Sequence, residues 1–553
     1  MSTNLSKQKR EELLEKIQDI RTFLASTNEG EDTGRFLTYL SELEKHVKSQ
    51  KYGMVFERHL EHVEEKLRSH VPYLKEEKSL RISRSNRSNY LIEGDNLASL
   101  TLLQKTHREQ IDLCIIDPPY NRGKNDFIYD DDYVDTNDAF RHSKWASFMY
   151  SRLVLARKLL KPEGYIFLNI DENELTTLKM LCDQVFQEQN FVGIYLWEKT
   201  STPPALSKKV RKKLEYILCY AKSLDSRHQF SQGSIDGDDA PLLNTGNGVK
   251  TLTFPAGSVR FKIKDGIYKP KTGMKIRLEQ PVEVKGGVNI TPLVASGEYK
   301  WVQETLEKEI HEGTYFLVKT SKFSIRYQRT GQLSHKTPQN LLNAGLGVGT
   351  NEDAQKELKA LSLPQFDYPK PSSLYAFLID MINRENDITV LDFFAGSGTT
   401  GHAVMKKNKE DGGNRRFILC TNNQENLCRD ITYERLKRAM ELEGYEEGLS
   451  YFKVGYLPVE GRMFYEYAEE LIGYLPELIA LEHGSFGGEA ENTFLAATQE
   501  EVDAFFAEYV EKEGCELYIG PDVLLTGEQE YQCLEFKIQV HEVPDYYYHE
   551  LEG

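Results

Sequence analysis

Residues 111–123 read IDLCIIDPPYNRG. Residues 111–116 are an apolar run of strand length, the kind that fills a buried strand of a parallel sheet. Pro118 and Pro119 cannot continue a central strand, so the chain breaks at that strand's carboxyl end. Open α/β sheets bind their ligands there. The break presents the carboxylate of Asp117, the stiff carbonyls of a Pro-Pro pair and the ring of Tyr120. Such groups suit the exocyclic amino group of a nucleobase, a poor nucleophile because its lone pair is delocalised into the ring. Asp117 and the Pro118 carbonyl can accept its two hydrogens and favour a pyramidal nitrogen, and Tyr120 can stack on the base. A base inside a duplex must be flipped out to reach them. A bare DPPY equally fits a strand end followed by a Pro-Pro turn, so the rest of the chain decides.

Upstream, residues 90–103 read YLIEGDNLASLTLL, a short strand, a turn and a helix. Asp95 then lies either at a strand's carboxyl end, able to accept from a ligand, or at the N-cap of the helix. Downstream, residues 125–137 form a polar loop expected to be mobile over the site. A helix over 145–160, a strand over 165–170, a helix over 175–186 and strands over 191–197 and 215–221 follow. Lys208, Lys209, Arg211, Lys212 and Lys213 sit between the last two strands, where a basic loop can track phosphates or simply be solvated. Much later, residues 388–404 read ITVLDFFAGSGTTGHAV. Here a buried strand gives way to a tight turn at Gly396-Ser397-Gly398 and a helix beginning near Thr399. Glycine lets the backbone approach a ligand, and a helix N-terminus welcomes a carboxylate. No Gly-Lys-Ser/Thr follows, so this is not a Walker loop. Just before it, Pro369-Lys370-Pro371 is extended and Ser372 can cap the next helix. Residues 416–421 make a further strand and 431–442 a helix.

Length and charge set the frame. At roughly 150 residues per domain, 553 residues suggest three or four domains. No apolar run approaches the ~18 residues of a membrane span, and the polar, charged start is not that of a secretory signal. The seven cysteines are scattered without metal spacing, which fits free thiols, a reducing cytoplasm and no metal site. The net charge of −17 is unevenly spread. Residues 199–336 hold 24 Lys and Arg against 13 Asp and Glu, whereas residues 441–553 hold 4 against 27. A basic middle suits nucleic acid and an acidic tail suits a protein partner. The middle also changes texture over 224–345, with short β-like runs and the aromatics Phe261, Tyr268, Tyr299, Trp301, Phe323 and Tyr327 among cations. Residues 1–80 are helical in pattern, with Leu13, Leu14, Ile17, Ile20 and Leu24 recurring, then Leu37, Leu40, Leu43 and Val47. They read as a hairpin or oligomerisation arm, or as a cap on the next domain.

DPPY, the glycine turn and the Pro-Lys-Pro segment together resemble the permuted (β-class) adenine-specific DNA methyltransferases that depend on S-adenosylmethionine. The closest likeness is to modification subunits of Type III restriction–modification systems, over residues 80–440. The resemblance implies a doubly wound, Rossmann-like α/β methyltransferase sheet with permuted motif order. It also implies a helical N-terminal arm (1–80), a catalytic half (81–223), an inserted β-rich target recognition domain (224–345), a cofactor-binding half (346–445) and an acidic α+β C-terminal domain (446–553). The implied catalytic tetrad is Asp117, Pro118, Pro119 and Tyr120. The implied cofactor pocket adds Asp95, Lys370, Pro371, Ser372, Asp392, Phe393, Phe394, Gly396, Gly398, Thr399 and Asn423 to Asp117. Asn121, Arg122 and the basic loop are expected on DNA.

In the family, Asp or Asn at the head of the tetrad goes with N6 of adenine and Ser with N4 of cytosine, so adenine is expected. The alternatives are N4 of cytosine, or a DNA-binding specificity subunit without activity of its own. Three departures stand out. Asn422-Asn423-Gln424 replaces the usual ribose-binding acid, leaving Asn423 or Glu425 to serve. Arg122 stands where Type III subunits usually have Thr, and the acidic tail finds only a faint likeness. Expected partners are duplex DNA and either a second copy or a restriction or helicase subunit, held through the N-terminal helices or the acidic domain.

Overall fold

The computed structural model describes residues 5–26, 36–41, 43, 44, 47, 56–84, 88–122, 140–203, 208–225, 228–232, 234–236, 239–270, 276–329, 333–382, 386–463, 466–483, 493–507, 514–520 and 523–543. The polar loop at 125–137 lies outside them. The chain forms two compact units. One comprises residues 1–224, 341–372 and 386–553; the other comprises 225–340 and 373–385.

The first unit is built on a ten-stranded sheet. In chain order its strands are β1 (His70–Glu76), β2 (Ser88–Glu93), β3 (Ile111–Ile116), β4 (Leu160–Ile170), β5 (Phe191–Glu198), β6 (Leu214–Ala221), β7 (Leu341–Leu342), β8 (Thr389–Asp392), β9 (Arg416–Thr421) and β10 (Gly448–Pro458). Across the sheet they run β1-β10-β2-β9-β8-β3-β4-β6-β5-β7. From β10 to β4 all pairs are parallel, and β6 runs against both β4 and β5. Every residue of β3 is buried, as a strand covered on both faces requires. Helix α1 (Asn96–Thr106) follows β2, α2 (Arg141–Leu159) precedes β4 and α3 (Leu175–Phe186) precedes β5. Helix α2 packs between α1 and α3. Helix α4 (Asn351–Ala360) follows β7, α5 (Thr399–Asp411) lies between β8 and β9, and α6 (Glu434–Glu443) precedes β10. The chain steps from β3 outward to β4 in one direction and from β8 to β9 in the other. The β3/β8 boundary is therefore the switch point where such sheets bind ligands.

The sheet runs past two expected boundaries. β1 belongs to the stretch expected as a helical arm, and β10 to the stretch expected as an acidic domain. Both cover the β2 edge: β10 pairs with β2 over six residues and β1 with β10 over seven. Charge dominates residues 446–553 and hides the strand pattern of Gly448–Pro458. Beyond it, strands Thr493–Ala496, Glu516–Ile519 and Gln539–Glu542 form a parallel sheet with helices Gln499–Ala507 and Gly527–Glu535 between them. Parallel strands need such crossovers, so this part alternates strand and helix rather than segregating them.

The second unit carries seven-, three- and two-stranded sheets around a core that includes Phe254, Val259, Phe316, Val318 and Ile325. Among the described residues no helix is long and apolar enough to cross a membrane. All seven cysteines are free and buried.

Candidate active site

β3 and β8 pair in parallel, with Leu391 beside Cys114. Their carboxyl ends therefore deliver Asp117 and Asp392 to the same edge of the sheet. The Asp117 carboxylate is held on both oxygens. Lys370 Nζ donates to Oδ2 at 2.6 Å and the Tyr120 hydroxyl to Oδ1 at 2.6 Å. The Trp145 indole donates to the Pro119 carbonyl at 2.7 Å, which fixes the Pro-Pro break from α2.

Behind Asp117 lies a lattice of alternating charges. Glu215, on β6, is buried and accepts from Lys199 at 2.9 Å and Arg122 at 3.2 Å, with Lys370 Nζ 3.7 Å away. Arg122 also bonds Asp171 at 2.7 Å. Burial alone would raise the Glu215 carboxyl, yet Lys370, Lys199 and Arg122 hold it below its usual range. Burial would lower the Lys370 ammonium, yet Asp117 and Glu215 hold it above its usual range. Three carboxylates and three cations thus balance, which is what keeps buried charge tolerable.

At the end of β8, Asp392 accepts from the Phe394 amide at 2.9 Å and the Thr400 hydroxyl at 2.5 Å. Its carboxyl is buried, which pushes it up to about 7 against those two hydrogen bonds. Asp392 thereby braces the glycine turn. Gly396 and Gly398 take φ of +47° and +78°, left-handed values that glycine accepts freely. The Thr432 hydroxyl donates to the Gly396 carbonyl at 2.6 Å. The fully buried Arg435 donates to Ser397 Oγ at 3.0 Å, Thr399 Oγ1 at 2.8 Å and Glu357 at 3.1 Å. Glu357 in turn accepts from the amide and hydroxyl of Ser372. Lys370 joins the two halves: its ammonium sits on Asp117 while its carbonyl accepts from Thr399 Oγ1 at 3.2 Å.

Residues 111–434 match the family model described as DNA methylase. The chain belongs to the DNA methylase family. It is 33% identical over 368 residues to the Mod subunit of the Type III restriction-modification enzyme StyLTI of Salmonella typhimurium strain LT2, covering 61% of this chain and 53% of that one. It is 30% identical over 369 residues to the Type II methyltransferase M.KpnI of Klebsiella pneumoniae, covering 63% of this chain and 84% of that one. The EcoPI Mod subunit of Escherichia phage P1 is 30% identical over 416 residues, covering 65% and 60%. The chain thus spans 53% to 60% of the length of these two Mod subunits.

Several expected site residues already have hydrogen-bond partners within the chain. Asp95 caps α1, accepting from Leu97 N at 2.7 Å, and faces Arg152 at 3.5 Å. Asn96 donates to the Phe393 carbonyl at 3.1 Å, so this turn still abuts the end of β8. Asn423 accepts from the Arg429 amide at 3.1 Å, in a turn where Glu425 and Asn426 have positive φ. Asn121, at φ +57°, turns its amide inward onto Glu174. Arg122 is taken up by Asp171 and Glu215. A buried amide and a paired guanidinium thus satisfy carboxylates that would otherwise be stranded. Lys208, Lys209 and Arg211 are exposed, Arg211 bonding the Pro203 carbonyl at 2.5 Å, and Lys212 pairs with Glu172.

Tyr120 is buried, with the Arg122 guanidinium 4.8 Å and the Lys370 ammonium 5.1 Å from its ring centre. The open aromatic face belongs instead to Tyr368. It is 62% exposed, at φ +51°, with Arg122 4.8 Å from its ring. A tyrosine at positive φ is a strained position of the kind that clusters at functional sites. Sequence reasoning missed Tyr368, Glu215, Glu357 and Arg435. Only Tyr368, two residues before Lys370, lay near a motif that could have pointed to it.

Proposed function

We propose that this methylase transfers a methyl group from S-adenosylmethionine to N6 of an adenine flipped out of duplex DNA, as the modification component of a restriction or phage-defence system. The observation that carries this reading is the Asp117 carboxylate, pinned by Lys370 and Tyr120 beside a stiffened Pro-Pro break, at the same sheet edge as the β8 glycine turn. Asp117 and the Pro118 carbonyl accept the two hydrogens of the amino group, which frees its lone pair. Each Asp117 oxygen has a lone pair beyond the one its present donor uses. Tyr368 stacks on the base, and one oxygen of Asp117 takes up the proton the methylated nitrogen sheds. The work of the protein is positioning and fixed charge.

The residues fit the cofactor. Backbone at the positive-φ glycines can close on it, the N-terminus of α5 favours its carboxylate, and Asp95 and Asn423 supply polar contacts for the adenosine end. Bound there, S-adenosylmethionine supplies a methyl group on a sulfonium, a good leaving group. Lys370 serves Asp117 through its ammonium and the pocket through its backbone, with Pro371 and Ser372 closing behind it. Asp at the head of the tetrad favours adenine over cytosine.

A restriction or helicase subunit docks on the acidic C-terminal part, whose Leu524, Tyr531 and Leu534 are exposed. Because β10 and core residues such as Leu478 and Ile479 lie beyond residue 445, a deletion there would break the fold. Leu524→Ser with Leu534→Ser tests the surface instead; unchanged complexes in size-exclusion chromatography would sink it. For the reaction, methylation-sensitive single-molecule sequencing of DNA from cells expressing wild type or Asp117→Ala is decisive. N6-methyladenine in one short motif, lost in the variant, is the expected result. The same methylation in both strains would refute it.

A further inference from the structure

The second unit by itself presents a charged face. Its strands Val259–Phe261, Tyr315–Val318 and Ile325–Gln328 lie side by side, with Arg260 beside Leu317, Leu317 beside Arg326 and Tyr315 beside Gln328. Hairpin strands Val282–Lys285 and Val288–Asn289 extend the row, placing Val288 beside Arg260 and Lys285 beside Val288. Strand side chains alternate between faces. Val259, Phe261, Phe316, Val318 and Ile325 go into the core. Arg260, Arg326, Gln328 and Lys285 therefore share the other face, and Lys262 and Lys319 continue it past the strand ends. Of these, Arg260, Lys262, Lys319 and Gln328 line a groove of about 600 Å³ together with Asp239, Val288, Leu317, Gly286 and Gly287.

The charge on this face is not neutralised from within. Asp239 accepts from Lys319 at 2.8 Å and contacts Arg326 at 3.1 Å. Among the described residues Arg260, Lys262 and Lys285 pair with no carboxylate. Arg260 is exposed yet held, its guanidinium 4.2 Å from the Tyr315 ring centre. Gln328 is cross-strand to that same tyrosine. A guanidinium held over the Tyr315 ring and an amide on the strand beyond it, on the same face, are the side-chain types that read guanine and adenine edges in the major groove, and the apolar Val288 and Leu317 suit a thymine methyl. Flanking lysines suit phosphates.

We propose that this sheet face is the base-reading surface of the protein for duplex DNA. Arg260 and Gln328 contact base edges, and Lys262, Lys285 and Lys319 contact the backbone. The proposal rests on the DNA-methylating reading above and adds to it the residues that choose the sequence.

Two sets of full-chain variants test it, each checked for an unchanged melting temperature. Arg260→Ala and Gln328→Ala should each relax one position of the methylated motif, with kcat/KM on the cognate site down roughly ten- to hundredfold and cofactor affinity unchanged. Lys262→Ala with Lys319→Ala should weaken anisotropy-measured binding to any duplex and lower the slope of log affinity against log salt by about one for each lysine removed. A wild-type motif in the first pair, or an unchanged salt slope in the second, overturns the proposal. If the wild type binds duplex with the predicted lysine dependence but methylates none, the surface stands and the catalytic reading falls.

Discussion

Among the described residues, Lys370→Met removes the one cation paired with the proposed catalytic carboxylate. The ammonium is 2.6 Å from Asp117 and 3.7 Å from Glu215, with only 4% of the side chain exposed. At an effective dielectric of about 20, those separations correspond to attractions of about 6 and 4–5 kcal/mol. Desolvation of each ion takes back several kcal/mol, so the intact arrangement contributes little net stability. Losing one partner is different, because the other charge stays partly buried, and that costs up to about 3–5 kcal/mol. Glu215 keeps Lys199 and Arg122, so the stranded charge is that of Asp117. For a unit of this size the loss lowers the melting temperature by up to about 3–6 °C, measurable by scanning calorimetry. In a methyl-incorporation assay kcat falls at least about tenfold, since the carboxylate is no longer held in one orientation. Adding Asp117→Asn to Lys370→Met removes the stranded charge and recovers at least half the lost stability, while kcat stays below that of the wild type. A single variant melting within about 1 °C of wild type at wild-type kcat would refute the reasoning. A double variant no more stable than the single would assign the loss to packing of the lysine stem.

Three further outcomes follow from the geometry. Asp392 has its carboxyl raised from 3.8 to about 7 by burial, so the folded state holds a proton the unfolded chain releases between those values. Stability from this group therefore falls as pH rises from about 4 to 7. Asp392→Asn, which keeps both hydrogen-bond positions, should gain on wild type in melting temperature across that window, and parallel curves would contradict the assignment. Tyr368→Ala should cut kcat/KM about ten- to hundredfold with Phe retaining it, as a stacking contact predicts; equal loss in both would point to the hydroxyl instead. Finally, the N-terminal helix Leu5–Ser26 buries Ile17 and is tied through Arg21 to Ser41 and Glu44, while Ile20, Phe23, Phe36 and Tyr39 stay exposed. We expect two copies to pair through this hairpin, with Ile20→Asp plus Phe23→Asp giving a monomer by light scattering; a wild type already monomeric would remove the idea.

The fold was legible where local signals agree. Residues 111–116 are apolar but for Asp112 and are followed by Asp117 and two prolines, so both the strand and its stop are written in a few side chains. The glycine turn is equally local, since Gly396 and Gly398 supply the positive φ that the strand-to-helix connection requires. The edge strands were harder. β10 carries Lys453 and a glycine and lies among glutamates. Its identity comes from pairing with β2, more than 350 residues away in sequence, and charge counted over a window erases it.

The site was legible only in its motifs, and its electrostatics were not. Asp117, Arg122, Asp171, Lys199, Glu215 and Lys370 come from five separate segments, and none except Asp117 and Lys370 stands in a recognisable pattern. A glutamate in a strand such as Leu214–Ala221 reads as a solvent-facing residue, because a lone carboxylate is costly inside. It can be buried only because three cations from other segments converge on it, and no one-dimensional pattern records that convergence. The same reasoning explains why Arg122 misled. Beside a catalytic motif an arginine reads as a phosphate contact, but the carboxylates of Asp171 and Glu215 need it more than solvent does. Removing Lys370 leaves Asp117 without a paired cation among the described residues, and removing any other member unbalances the set. The lattice therefore holds Asp117 more firmly than the Pro-Pro break alone could, and its parts must be tested in charge-balanced pairs rather than singly.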